Sequence, residues 1–411
     1  MAYQLSRHQL LLDLYQAYKD ARRHKRNKSY QKRFESRLEL NLNELAEELW
    51  MRTYKPCPST CFIIEDPKKR EVFAAAFRDR IVHHLYYNYV HEMLERTFIY
   101  DAYSCIKGRG THFGINRLEG FIRKESQNYQ ERCHVLKMDI QGYFMHINRE
   151  KLLEITLRRL GRMGCHRVSR YSPTTWSEVV DMGFVEWLSR EIILLNPIYD
   201  CVYRGSMDDW RELPRSKSLF YSPPGCGLPI GNLTSQLFSN VYLNEFDQYM
   251  KRTLRCRSYG RYVDDFFVVS ADKEWLLSLQ QPVTEFLREE LGLVVQQGKT
   301  MVCDVNRGVS FLGAYLKPWR RYVSSTSLRR MRRKLPLLRS LRTTPVELRA
   351  SINSFLGIMS HYRSWRLRCQ LFRPLRYLYN FGRFADDMRK YRLYPSLENS
   401  VMSKKFYQLN K

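Results

Sequence analysis

Apolar positions along the N-terminal stretch fall at helical spacing, and residues 5 to about 55 read as helix. Leu38, Leu42, Leu45 and Leu49 recur every three or four positions and line one face. Between the helical stretches lies DARRHKRNKSYQKR, a basic run open either to solvent or to an anionic partner. The segment FIIEDPKKREVFAAAFRDRIVHHLYYNYV reads as a strand pair or loop followed by a helix, and a second amphipathic helix runs from His112 to about Tyr129. The period then changes to two in CHVLKMDIQGYF. Leu136, Met138 and Ile140 face one way and Lys137 and Asp139 the other, so Asp139 is a lone carboxylate on the polar face of a strand. Residues 161–225 are mixed and turn-rich, with no period to follow. Beyond about residue 320 the chain reads as a basic helical module. There Thr344, Pro345 and Glu347 form the N-cap, first helical position and capping box of a helix whose apolar stripe is Leu348, Ile352, Phe355 and Met359.

Composition narrows the class. The chain has 411 residues, enough for two or three domains, and its 44% hydrophobic and 14% aromatic content supplies a substantial core. Lys and Arg outnumber Asp and Glu 69 to 42, for a formal net charge of +27, which suits a polyanion such as nucleic acid. No apolar run approaches the roughly 20 residues of a membrane span, and the N-terminus lacks a signal-peptide layout, so a cytoplasmic protein with no membrane partner is expected. The ten cysteines are scattered without zinc spacing and read as reduced, mostly buried thiols.

Against that charge balance, RYVDDFFVVS sets Asp264 and Asp265 side by side in an apolar run. Adjacent residues of a regular strand point to opposite faces, so both can serve one ligand only at a turn; RSYGRYV and FFVVS read as the two strands of such a hairpin. Taken alone, an Asp pair at a turn is ordinary polar punctuation. Together with Asp139 it forms a set of hard oxygen donors suited to Mg²⁺, which leaves positions for phosphates and water.

The order of the remaining motifs decides between these readings. A strand Asp at 139, GLPIGNLTSQLFSNVYL at 227–243, YVDD at 262–265, GKT at 298–300 and FLG at 311–313 follow one another. This succession resembles the palm of reverse transcriptases, over roughly residues 60 to 320. The resemblance implies an α+β right-handed polymerase with fingers, an antiparallel-sheet palm and a helical thumb. It divides the chain into a basic helical extension at 1–55, fingers and palm at 56–320 with an insertion at 161–225, and a thumb and tail at 321–411.

It also implies roles. Asp139, the Ile140 carbonyl, Asp264 and Asp265 hold two Mg²⁺ ions, for which Mn²⁺ can substitute, and Lys299 assists the leaving pyrophosphate. Phe144 blocks a ribose 2′-hydroxyl; Arg70 and Arg78 meet the dNTP triphosphate; Ile230, Gly231 and Gln236 border the nucleotide. Lys69, Lys107, Arg109 and Tyr262 contact nucleic acid, and Phe311, Leu312 and Gly313 form the primer grip.

One departure points to a subgroup. Most reverse transcriptases carry Pro-Gln-Gly where this chain has Pro229-Ile230-Gly231, followed by NLTSQLFSN. That pattern is similar to the reverse transcriptases of diversity-generating retroelements, as are the basic N-terminal region, FRDRIVHHL, GRGTH and SFLGIMSHY. Membership implies copying of a template-repeat RNA into cDNA with errors opposite adenines, and a small basic accessory protein as partner. The alternatives are a retron or anti-phage defence enzyme and, in a different class, a non-catalytic RNA-binding protein with a polymerase fold.

Overall fold

A computed structural model describes residues 3–23, 28–65, 68–339 and 343–398. Parts of the basic run at 20–33 and of the finger loop, and the C-terminal tail, lie outside the described residues. The chain divides into two compact units, Met1–Arg117 with Leu136–Val302, and Leu118–Val135 with Cys303–Lys411.

In the first unit, α1 (Arg7–Arg22), α2 (Ser29–Glu35) and α3 (Leu38–Trp50) precede a strand pair, β1 (Ser59–Ile64) and β2 (Arg70–Ala74), and the long α4 (Phe77–Glu95). Leu42, Leu45 and Leu49 are buried, as their spacing predicts, in one core with Leu10 and Leu14 of α1 and Ile81 and Leu85 of α4. The N-terminal extension is therefore part of the first unit, because α3 packs on α1 and α1 in turn packs on α4. Helix α5 (Thr111–Glu125), shorter than expected, leads to β3 (His134–Asp139), then α6 (Tyr143–His146) and α7 (Arg149–Gly164).

The unreadable segment 161–225 holds a core helix, α8 (Met182–Ile193), started by the Asp181 side chain accepting from Phe184 N, and a short β4 (Cys201–Tyr203) parallel to β1. Its remaining one-turn helices bear no period that sequence could reveal. Next come α9 (Leu233–Gln248), β5 (Tyr259–Tyr262), β6 (Asp265–Ser270), α10 (Lys273–Ser278), α11 (Gln280–Leu291) and β7 (Met301–Asp304). The four-stranded sheet has the order β5-β6-β3-β7.

In the second unit, β8 (Val309–Phe311), β9 (Ala314–Lys317) and β10 (Arg320–Val323) form an antiparallel meander, and Arg321 pairs with Glu119. Then follow α12 (Ser325–Leu337), α13 (Pro345–Ser360), α14 (Trp365–Phe372), β11 (Gly382–Ala385) and β12 (Lys390–Leu393). The capping box of Thr344 and Glu347 forms as expected, and Leu348, Ile352, Phe355 and Met359 are buried. The C-terminal region is not wholly helical: β11 and β12 pair antiparallel, and Tyr391 of β12 is buried in the same core as α13. All ten cysteines are free, but only Cys61, Cys133, Cys256 and Cys369 are buried, fewer than expected. No helix among the described residues is long and apolar enough to cross a membrane.

Candidate active site

The Asp pair sits at a hairpin, as the flanking patterns predict. β5 and β6 pair antiparallel with Tyr262 opposite Asp265, so Val263 and Asp264 make the turn. Asp264 thereby leaves the strand alternation that would have sent it to the far face. Val263 takes φ 55°, a left-handed conformation that a β-branched residue adopts only under constraint, at about 1–3 kcal/mol.

The constraint is a buried polar network that the sequence analysis missed. Arg261, 1% exposed, donates from Nη1 to the Val263 carbonyl (3.0 Å), while Val263 N donates to Ser104 Oγ (3.2 Å). The Arg261 fork is satisfied by Asp247, with Nε to Oδ1 at 2.8 Å and Nη2 to Oδ2 at 2.6 Å, and Asp247 is itself fully buried. Tyr259 Oη donates to Asp247 Oδ1 at 2.6 Å, and Asn240 Nδ2 donates to the Ser104 carbonyl at 2.8 Å. Asn240 and Asp247 lie two turns apart on α9 and so share a face. The signal was present in two places: an arginine inside an otherwise apolar strand, and an aspartate on a helix with few exposed positions. Each is tolerable only if the other answers it.

β3 lies beside β6 in the sheet. Leu136, Met138 and Ile140 are buried on its core face, while Lys137 and Asp139 stand on the other, as the alternation predicts. Lys299 Nζ donates to Asp139 Oδ2 at 2.8 Å, and Lys137 Nζ lies 3.6 Å from Asp265 Oδ1. Lys137 was not anticipated as part of the site. Burial raises the Asp264 carboxyl from 3.8 to about 6; the Asp139 and then the Asp265 charges add to this, and Lys299 opposes it. Burial also raises Asp265, against the pull of Lys137. Asp264 thus feels the charges of both Asp139 and Asp265, and Lys299 only partly offsets them.

Hard carboxylate oxygens that repel each other are the donor chemistry of a divalent-cation site. Among the described residues no three or more His, Cys, Asp or Glu side chains are placed closely enough to hold a metal ion by themselves. Such a partial donor set fits Mg²⁺, which keeps waters and substrate phosphates in its shell. The bridge between Ile140 and Val295 is made by Gln141 N donating to the Val294 carbonyl and Gln296 N to that of Asp139, both at 2.8 Å.

Phe144 and Ile230, far apart in sequence, lean on one small cluster of Cys61, Phe73, Met145 and Leu219. Gly231 has φ 129°, and a Cβ there would lie 2.8 Å from Val72 Cγ1 and 3.0 Å from the Phe73 carbonyl oxygen, so the close approach to β2 demands glycine. Gln236 is exposed on the largely buried α9. The segment 161–225 backs this region through Glu71. That carboxylate, 1% exposed, accepts from Trp210 Nε1 (2.8 Å), Ser218 Oγ (2.9 Å) and Leu219 N (2.6 Å).

Several expected contact residues are engaged otherwise. Arg78 pairs with Glu48 and packs over Tyr54, which makes it an anchor between α3 and α4 rather than an open fork. Arg109 donates from Nη1 to the carbonyls of Ile99 (3.1 Å) and Ala102 (3.2 Å), clamping its own loop. Lys69 donates to the Arg211 carbonyl. Arg70 and Lys107 are exposed, and Tyr262 is half-buried at the hairpin. In the second unit, Phe311 is buried and Leu312-Gly313 form the two-residue turn between β8 and β9.

Comparison with known proteins settles the family. Residues 66–316, more than half of the chain, match the family described as reverse transcriptase (RNA-dependent DNA polymerase). The chain belongs to the reverse transcriptase family. Its α+β polymerase fold, with antiparallel sheets and mixed helices, is the one expected from the motifs. This reverse transcriptase chain is 23% identical over 317 residues to Protein YkfC of Escherichia coli (strain K12), covering 68% of the chain and 72% of YkfC. Among solved structures it is similar to a telomerase from Candida albicans in complex with a TWJ fragment of telomeric RNA (11% identity, TM-score 0.45, 82% of this chain and 63% of that one). An apo telomerase from Candida tropicalis truncated from its C-terminal domain gives 12% identity and a TM-score of 0.45, over 69% of this chain and 60% of that one. The chain spans less than two thirds of the length of these telomerase chains. Reverse transcriptase domains generally use divalent cations, typically Mg²⁺, in keeping with the carboxylate set.

Proposed function

We propose that this chain is an RNA-directed DNA polymerase of the diversity-generating type, copying a template-repeat RNA into cDNA with errors opposite adenines. The observation that carries the polymerase reading is the strained hairpin that sets Asp264 and Asp265 beside Asp139, with Lys299 on the same carboxylate cluster. In the reaction a primer 3′-oxygen bonds to the α-phosphorus of a dNTP, the bond to the β-phosphate oxygen breaks, pyrophosphate leaves, and the hydroxyl proton passes to water. Bound Mg²⁺ ions, two in this reading and replaceable by Mn²⁺, lower the energy of the developing oxyanions. Asp139, Asp264, Asp265 and the Ile140 carbonyl are the residues that would hold them. Lys299, which pairs with Asp139, would be the cation near the leaving pyrophosphate. Arg70, exposed at the start of β2, meets the triphosphate, and Phe144 excludes a 2′-hydroxyl.

Ile230 supports the mutagenic reading. An apolar side chain packed beside Phe73 and Leu219 offers the nascent pair no hydrogen bond, and an apolar pocket discriminates shape only weakly. A basic accessory protein and the template RNA are the partners of this reading. Primer extension with Mg²⁺ on a defined RNA template, followed by deep sequencing, tests it. Errors concentrated opposite adenines, reduced by Ile230→Gln, are the expected result; a low, even error spectrum moves the chain to the defence or retron type. A chain that binds RNA but extends no primer, even with its cognate RNA and accessory protein, is instead the non-catalytic binder.

A further inference from the structure

We infer that the second unit carries a phosphate-binding pocket for a polynucleotide strand, seated on the buried Arg368 and separate from the carboxylate cluster. The pocket is a cavity of about 760 Å³ whose lining includes Arg320 from β10, Arg363 and Arg366 around the start of α14, Arg368 within it, and Arg389 beside β12. Among the described residues no Asp or Glu lines it, and the Asp387 charge reaches Arg368 from outside the lining. Clustering of like charge with so few carboxylates nearby is unfavourable in the unliganded state and is relieved by an anion.

Arg368 shows that the cavity is built rather than incidental. The residue is 3% exposed; its Nη2 donates to the Asp387 carbonyl at 3.3 Å, while Nε and Nη1 have no hydrogen-bond partner among the described residues. Burying a guanidinium with two donors unmatched is costly unless a ligand completes the set. Burial, with the Arg389 charge behind it, pushes the proton affinity of Arg368 down, and the nearby Asp387 charge only partly compensates. The four other arginines are exposed, so they reach an incoming anion from the rim.

Phosphate fits this arrangement through the planar forks of the arginines. Trp365, 48% exposed on the same cavity with the Arg373 guanidinium 5.7 Å from its ring centroid, adds an aromatic and cationic surface suited to a base and its phosphate. The net charge of +27 favours the same class of partner. Sequence patterning did not reveal the pocket because its arginines come from three separate stretches of chain.

The test measures binding of a short fluorescein-labelled single-stranded RNA over a salt series, without metal or dNTP, so that a failed polymerase assignment leaves it readable. Arg363→Ala and Arg366→Ala are each expected to reduce the slope of log affinity against log salt by about 1. Arg368→Met is expected to weaken binding about ten-fold while raising the thermal midpoint of the RNA-free protein, because it removes an unmatched buried charge. Should Arg368→Met fail to fold, the two exposed substitutions decide the matter. Unchanged affinity and slope in those variants overturn the proposal. Two competitor results also overturn it. One is inorganic phosphate stabilising the wild type while RNA affinity ignores the substitutions, which makes the pocket a small-anion site; the other is polyglutamate displacing RNA at equal charge, which makes it a peptide site.

Discussion

The β5–β6 and β8–β9 hairpins both turn on two residues, Val263-Asp264 and Leu312-Gly313, and both place the first at positive φ, 55° and 47°. They hold that conformation differently. In β8–β9 the second residue is glycine at φ 84°, so both turn positions are left-handed, the pattern of a type I′ turn that suits the strand twist by itself. In β5–β6 the second residue is the carboxylate Asp264, and the turn is held from outside by Arg261 and Ser104. A turn that must present a particular side chain gives up the glycine that would relax it and takes its rigidity from a buried network. The buried, raised carboxyl of Asp264 beside the Asp139 and Asp265 charges is what marks that turn as the candidate site.

Substitutions at the two turns sharpen this contrast. Asp264→Asn has the largest expected effect: primer extension falls at least about a thousand-fold. The metal-free protein gains about 1–3 kcal/mol by calorimetry, since the raised carboxyl no longer has to ionise in a buried site. Unchanged synthesis would remove Asp264 from the chemistry. Arg261→Met comes next, at about 3–5 kcal/mol of lost stability in denaturant titration, because Asp247 is left charged and buried. The double variant with Asp247→Leu is expected to recover stability but not rate, since Val263 still lacks its anchor. Recovery of both would make the network purely structural.

The pH dependence is smaller. The folded, metal-free Asp264 holds its proton up to about 6, whereas an ordinary carboxyl loses it near 3.8. Ionisation of this group therefore weakens the metal-free fold as pH rises between those values, and protons compete with Mg²⁺ below about 6. Mg²⁺ affinity by calorimetric titration is expected to fall about ten-fold per pH unit in that range. A flat profile would mean that Asp264 does not bind the cation. The smallest effects belong to the turns themselves. Gly313→Ala should cost about 1 kcal/mol at its positive φ, while Val263→Gly should change stability by less than about 1 kcal/mol, as relieved strain offsets lost chain restriction. The discriminating readout is rate: Val263→Gly slows extension by loosening Asp264, and Gly313→Ala leaves kcat unchanged and raises the KM for primer.

Much of this was legible before any coordinates, wherever the information lies within a few residues of itself. Period-two alternation put Lys137 and Asp139 opposite the core face of β3, the flanks of Asp264 required a hairpin, and Thr344 with Glu347 announced the start of α13. The ordered motifs identified the family. Only the tertiary structure decided that Lys299 meets Asp139, that Arg261 is answered by Asp247, that Trp210 and Leu219 close on Glu71, and that Arg368 is buried without a full set of partners. Local patterns follow from backbone geometry and apolar spacing, which a short window contains. A charged side chain on a buried face declares only that some partner exists; which one depends on long-range packing that no window records.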